Sequence, residues 1–200
     1  MSLPKVGIFD NYDSFTWNVH HYLEAFLEAE VPVIKNDDKD WTKLENCDII
    51  ILSPGPGLPQ NSGRLMECLA TFGPNKALLG ICLGHQALAL YTGGTLFNLS
   101  RVWHGKTSHI QDETPLSPHV LTSFCPMEVG RYHSWAVSTE KLSADWKLLQ
   151  KTSDGILMAM EHQMFPWMGI QYHPESVLTI QGREALTAMV LHLYQRLKKK

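Results

Sequence analysis

The chain has 200 residues, 44% of them hydrophobic, with 17 lysines and arginines against 20 acidic residues and a formal net charge of −3. That profile fits a globular fold with a sizeable core, and the scattered basic residues leave no electrostatic footprint for nucleic acid or a membrane surface. Cys47, Cys68, Cys82 and Cys125 form no Cys-x-x-Cys pair, no secretory leader opens the sequence, and the apolar runs fall short of the ~20 residues a membrane helix needs, so a reducing cytoplasm is expected and a metal site is not.

Val6-Gly7-Ile8-Phe9 reads as a short strand, closed by the polar turn Asp10-Asn11-Tyr12-Asp13-Ser14, a plain reading of which is a helix-capping turn. Phe15, Val19, Tyr22, Leu23, Phe26 and Leu27 then recur at helical spacing. Residues 31–34 and 48–52 read as further strands, residues 64–72 as a helix, residues 76–81 as a strand and residues 85–91 as a helix. Alternation of this kind predicts an α/β fold with an open, mostly parallel central sheet and helices on both faces.

Beyond Gly93-Gly94 the character changes. Short β-prone pieces at residues 95–97, 102–110, 120–121 and 146–150 are separated by turns and predict a small antiparallel addition. Residues 156–161 and 168–172 resume strand character, and Leu186, Met189, Val190, Leu193 and Leu197 mark a closing helix. With no internal repeat and no long linker, residues 1–200 are expected to form a single domain.

Three segments fall where the strands of such a sheet end, which is where chemistry collects. The first is Ser53-Pro54-Gly55-Pro56-Gly57, either a tight surface connection or a rigid loop whose Gly55 and Gly57 backbone can approach a ligand. The second is Gly80-Ile81-Cys82-Leu83-Gly84, a strand-to-helix turn whose flanking glycines leave room for a nucleophile at its apex, with the helix N-terminus favouring the thiolate. Cys82 could instead be one more buried small hydrophobe. The third is His173-Pro174-Glu175, in which extended backbone would project imidazole and carboxylate to one side, as a base and its orienting acid. By itself His-x-Glu could equally be a solvated turn.

Taken together, Gly80-Ile81-Cys82-Leu83-Gly84-His85-Gln86 and His173-Pro174-Glu175 resemble the class I, or triad-type, glutamine amidotransferases along nearly the full length of the chain. Within that class Asp10-Asn11-Tyr12-Asp13-Ser14-Phe15, the loop 53–57, His104-Gly105-Lys106-Thr107-Ser108 and Arg131-Tyr132-His133-Ser134 look like the glutaminase subunit of anthranilate synthase and aminodeoxychorismate synthase. The resemblance implies a flavodoxin-like fold and catalytic roles for Cys82, His173 and Glu175. It also implies an oxyanion site at the N–H groups of Gly55 and Leu83, and L-glutamine contacts from Gly55, Pro56, Gly57, Leu83, Gln86, Ser134 and Trp135. No cofactor is implied in this chain. The implied partner is a chorismate-binding synthase subunit carrying Mg²⁺, with Lys106 either an exposed hairpin charge or a contact to that subunit. A compact segment at 161–168 and Trp17 depart modestly from the family pattern.

Four other readings compete. Cysteine hydrolases of α/β-hydrolase type use a similar turn, but their acid precedes the histidine in the chain. Cysteine peptidases of related fold commonly place histidine directly after the nucleophile, where Leu83 stands here. A non-catalytic binding module would not need all three triad residues. Closer still, the ammonia acceptor could belong to guanylate, cytidylate or carbamoyl-phosphate synthesis, against which the segment 10–15 argues only by resemblance.

Overall fold

The computed structural model describes residues 3–113, 118–125 and 127–199. Five strands form the parallel core of the main sheet: β1 (Val6–Asp10), β2 (Val33–Lys35), β3 (Ile49–Leu52), β4 (Ala77–Ile81) and, near the C-terminus, β11 (Trp167–Ile170). They lie in the order β2-β1-β3-β4-β11. The run Ile49-Ile50-Ile51-Leu52 is wholly buried, as a strand covered on both faces must be. Its alternate residues feed two cores. Ile49 and Ile51 pack with Val19 and Leu23 of α1 (Thr16–Leu27) and with Leu186, Met189 and Leu193 of α5 (Gly182–Lys198). Ile50 and Leu52 pack on the opposite face with α2 (Thr42–Glu45), α3 (Leu65–Phe72) and α4 (Leu83–Tyr91).

The antiparallel addition is larger and less unitary than the sequence suggests. Four strands, β6 (Lys106–Asp112), β7 (Met127–Arg131), β9 (Trp146–Thr152) and β10 (Leu157–His162), extend the main sheet beyond β11 in the order β10-β9-β6-β7. A separate antiparallel pair joins β5 (Thr95–Asn98) to β8 (Trp135–Ser138). Three expectations are corrected here. Residues 102–105 stand outside β6, because Gly105 turns the chain at φ 65° before the strand begins. Val120 and Leu121 form a turn instead of a strand: Leu121 N–H bonds to His119 Nδ1 and leaves no ladder to join. Strands β7 and β8 have no counterpart in the sequence reading, since Met-Glu-Val-Gly-Arg and Trp-Ala-Val-Ser carry weak alternation and are fixed by their pairings with β6 and β5.

The turn after β1 is a polar knot. Asp10 Oδ1 accepts from Thr16 Oγ1 at 2.8 Å and from Tyr12 N–H, while Asp13 Oδ1 accepts from Phe15 N–H. It braces the loop ahead of α1, but the capping reading is corrected: the capping position falls on Phe15 and no side chain caps the helix. The same loop is tied to the next by Asn11, whose backbone N–H and side-chain amide donate to Ser53 Oγ and Ser53 O at 2.8 and 2.9 Å. The loops after β1 and β3 are thereby fixed side by side at the carboxyl end of the sheet.

Candidate active site

Helix α4 begins at Leu83, two residues earlier than its amphipathic pattern suggests, so Cys82 is the residue that caps it. Cys82 takes φ 50° and ψ −97°, a backbone conformation that a side chain strongly disfavours. The cost is met by the surrounding packing. Cys82 N–H bonds to Ile170 O at 2.8 Å, which ties the apex to β11, and Gln86 N–H bonds to Cys82 O. A Cβ on Gly80 would meet the backbone of Gly84, and one on Gly84 would meet Leu52 O, so both glycines are demanded by the close approach of α4 to the sheet. The sulfur therefore stands at the N-terminus of α4, where the first N–H groups lack helical partners and the dipole is positive.

His173 and Glu175 come from the segment after β11. The strand ends at Ile170, and His173 to Glu175 form a turn in place of the extended backbone expected for them. The turn brings the pair into direct contact: His173 Nδ1 lies 2.7 Å from Glu175 Oε1, with both side chains buried at 2% and 0% exposure. Burial alone would lower the His173 pKa, but the charges of Glu175 and of the Cys82 sulfur outweigh it and hold the imidazole well above the ordinary histidine range. His173 Nε2 has no hydrogen-bond partner among the described residues and is available for proton exchange. Backbone bonds from His173 N–H to Gly130 O and from Thr179 Oγ1 to His173 O fix the turn. Phe15 and Tyr132 stand edge-on to the imidazole, at 5.3 and 4.9 Å between ring centroids.

Gly55, Pro56, Gly57, Leu83, Gln86, Ser134 and Trp135 all line one cleft of about 120 Å³, together with Cys82. Gly55 cannot carry a side chain, because a Cβ there would stand 2.6 Å from Asn11 Cβ and 2.7 Å from Leu83 Cδ2. Its backbone is thus pressed against Leu83, the other residue expected at the oxyanion site. Gln86 is buried and not solvated, donating through Nε2 to Trp135 O at 3.0 Å and to Gln171 Oε1 at 3.1 Å. Lys106 is exposed at the start of β6.

Three residues of the site were given no role in the sequence reading. Tyr132 and His133 line the cleft beside Ser134, within a motif already quoted. Arg131 Nε–H donates to His133 Nε2 at 3.0 Å, so the proton of the neutral ring sits on Nδ1 and is donated to Trp135 O at 2.8 Å. Burial, reinforced by the neighbouring Arg131 and His173, pushes the His133 pKa down to about 4 and keeps it neutral. Gln171 is fully buried and donates to Cys82 Sγ at 3.5 Å. Its signal was a polar residue inside an apolar run, two positions before His173. Among the described residues no three His, Cys, Asp or Glu gather to hold a metal ion, and no helix is long and apolar enough to cross a membrane.

A cysteine on a strained strand-to-helix apex, facing an imidazole held by a buried carboxylate, is an arrangement for nucleophilic attack on a carbonyl carbon. Compared with known families, residues 7–193 match the one described as glutamine amidotransferase class-I, and the chain belongs to that family. It is 37% identical over 179 residues to the aminodeoxychorismate/anthranilate synthase component 2 of Bacillus subtilis, covering 88% of this chain and 91% of that protein. It is 39% identical to the anthranilate synthase component 2 of Pseudomonas putida, covering 88% and 90%. Longer relatives match as well: the chain is 35% identical to the bifunctional protein TrpGD of Thermotoga maritima but spans only 31% of its length. In fold it is similar to a glutamine amidotransferase of Thermotoga maritima, with a TM-score of 0.75 at 12% identity and 100% of each chain covered. A glutamine amidotransferase of Methylobacillus flagellatus gives a TM-score of 0.72 at 14% identity, covering 100% of this chain and 95% of that one.

Proposed function

We propose that this protein is the glutaminase subunit of a chorismate-using synthase, releasing ammonia from L-glutamine for anthranilate or 4-amino-4-deoxychorismate synthesis. The observation that carries the reading is the convergence of Cys82 with all seven expected glutamine contacts on one cleft. In this reading the Cys82 thiolate attacks the side-chain carbonyl carbon of glutamine, and the carbonyl π electrons move to oxygen. The N–H groups of Leu83 and Gly55 hold that oxyanion, a role worth roughly 3–4 kcal/mol per donor where it has been removed elsewhere. As the tetrahedral species collapses, the C–N bond breaks, His173 Nε2 gives its proton to the departing ammonia, and a glutamyl thioester remains on Cys82. His173 then takes a proton from water, which adds to the thioester and releases glutamate and the thiolate. Glu175 keeps the imidazole oriented and balances its charge throughout.

The partner reading rests on chemistry and on surface. Ammonia freed into bulk water is mostly protonated and lost as a nucleophile, so its acceptor must sit close by. Val177 and Ile180, just beyond the His173 turn, are 90% and 82% exposed, an apolar edge suited to a second subunit. The chain itself needs no cofactor in this scheme, Mg²⁺ belonging to the synthase with chorismate.

The test is to purify the chain and assay glutamine, p-nitrophenyl esters and casein, alone and with an anthranilate or aminodeoxychorismate synthase subunit plus chorismate and Mg²⁺. Glutamine turnover should be slow alone, rise at least tenfold with one of the two subunits, and vanish by 10³-fold or more in Cys82→Ala. Product fluorescence identifies which synthase is served. Ester or peptide turnover without glutamine turnover, or full glutaminase activity that no synthase enhances, overturns the reading.

A further inference from the structure

Gln171 takes no part in the bond-making steps above, yet among the described residues it is the one side-chain amide that reaches the nucleophile. Its Nε2 donates to Cys82 Sγ at 3.5 Å, and its side chain has no exposure to solvent. The orientation of that amide is not free. Gln171 Oε1 accepts from Gln86 Nε2 at 3.1 Å, and Gln86 Nε2 also donates to Trp135 O at 3.0 Å, so both hydrogens of the Gln86 amide are committed. Trp135 O is held in turn by the Nδ1–H of His133, whose tautomer Arg131 sets. With its oxygen claimed by a donor, Gln171 can present only its NH₂ group to the sulfur.

We propose that Gln171 is a positioning residue for Cys82, holding the sulfur at the apex and donating a hydrogen bond to it in its anionic form. A buried amide that bonds only weakly to a neutral thiol and more strongly to a thiolate stabilises the second selectively. The relay from Trp135 through Gln86 fixes which end of the Gln171 amide faces the nucleophile. The inference rests on the nucleophilic role of Cys82 given above.

Replacing the amide by side chains of similar volume tests it, in Gln171→Met and Gln171→Leu. The readout is the pH dependence of Cys82 alkylation by iodoacetamide, followed at the Cys82 peptide by mass spectrometry, which requires neither glutamine turnover nor a partner. The midpoint for Cys82 should rise by about one pH unit in the variants, with a roughly tenfold slower rate below it. In parallel, kcat for glutamine should fall about tenfold while KM stays within about twofold. An alkylation midpoint unchanged in either folded variant overturns the proposal even if the protein is destabilised, and loss of the fold in both overturns it too, because the amide would then serve the fold. A wild-type protein whose Cys82 shows the expected profile but that never turns over glutamine would instead count against the glutaminase reading alone.

Discussion

Cys82 pays a conformational cost for its position, and that cost is measurable. At φ 50° and ψ −97° a residue with a Cβ is strained by on the order of 1–3 kcal/mol, part of which glycine escapes. Cys82→Gly should therefore be more stable than Cys82→Ala by about 1 kcal/mol in urea unfolding, with both lacking glutamine hydrolysis. Equal stabilities would mean that the apex is not a store of strain. The nucleophile was legible as Cys82 because its flanking glycines have a steric reason that one sequence can carry. Gln171 was not, because its role comes from Cys82, 89 positions away, and His133 was not, because its bonds to Arg131 and Trp135, though local, gain meaning only once the segment is buried against the cleft.

At the scale of elements, the site depends on how tightly α4 lies against β3 and β4. Gly84 faces Leu52 and Gly80 faces the first turn of α4, so a methyl group at either position must push helix and sheet apart. Gly84→Ala should lower stability by ~3 kcal/mol or more and slow Cys82 alkylation, since displacing the helix removes its N-terminus from the sulfur. Gly93→Ala is the control: its φ of 85° is unfavourable for alanine, but nothing stands within 4 Å of the added Cβ, and the loss should stay near 1 kcal/mol. The ordering of these two variants, read from thermal or urea unfolding, decides between close packing and conformation as the reason for the glycines. The parallel strands and helices α1, α3, α4 and α5 were legible from periodicity, whereas α2, β7 and β8 were not, because such short sequences gain their geometry only by packing and pairing.

Over the whole molecule, buried histidines set opposing pH dependences. Burial pushes the His85 pKa down to about 3 and that of His133 to about 4, so between those values and the ordinary 6.5 the unfolded chain binds protons that the native one does not. Their contribution to stability is lost as pH falls through that window, at up to about 1.4 kcal/mol per unit for each histidine. His173 acts in the other direction. Its folded pKa is held above 6.5 by Glu175 and the Cys82 sulfur against the effect of burial, so its contribution is complete below 6.5 and is lost as pH rises through the higher folded value. Urea unfolding should accordingly show greatest stability near neutral pH and a decline on both sides. In His173→Gln the decline on the alkaline side should flatten, and an unaltered alkaline slope would remove His173 as its cause.

The sequence by itself determined the local pieces: which runs are strands and helices of an α/β fold, where a glycine-flanked cysteine stands, and that a histidine and a glutamate lie two apart. Those features follow from periodicity and sterics within a few residues. Only the tertiary structure decided that the His173 segment turns instead of continuing β11, that Gln86 is buried against Trp135 and Gln171, and that three distant parts of the chain close on one cleft. Hydrogen bonds and burial between residues tens of positions apart have no periodic trace in a chain, and they exist only once β11 lies beside β4.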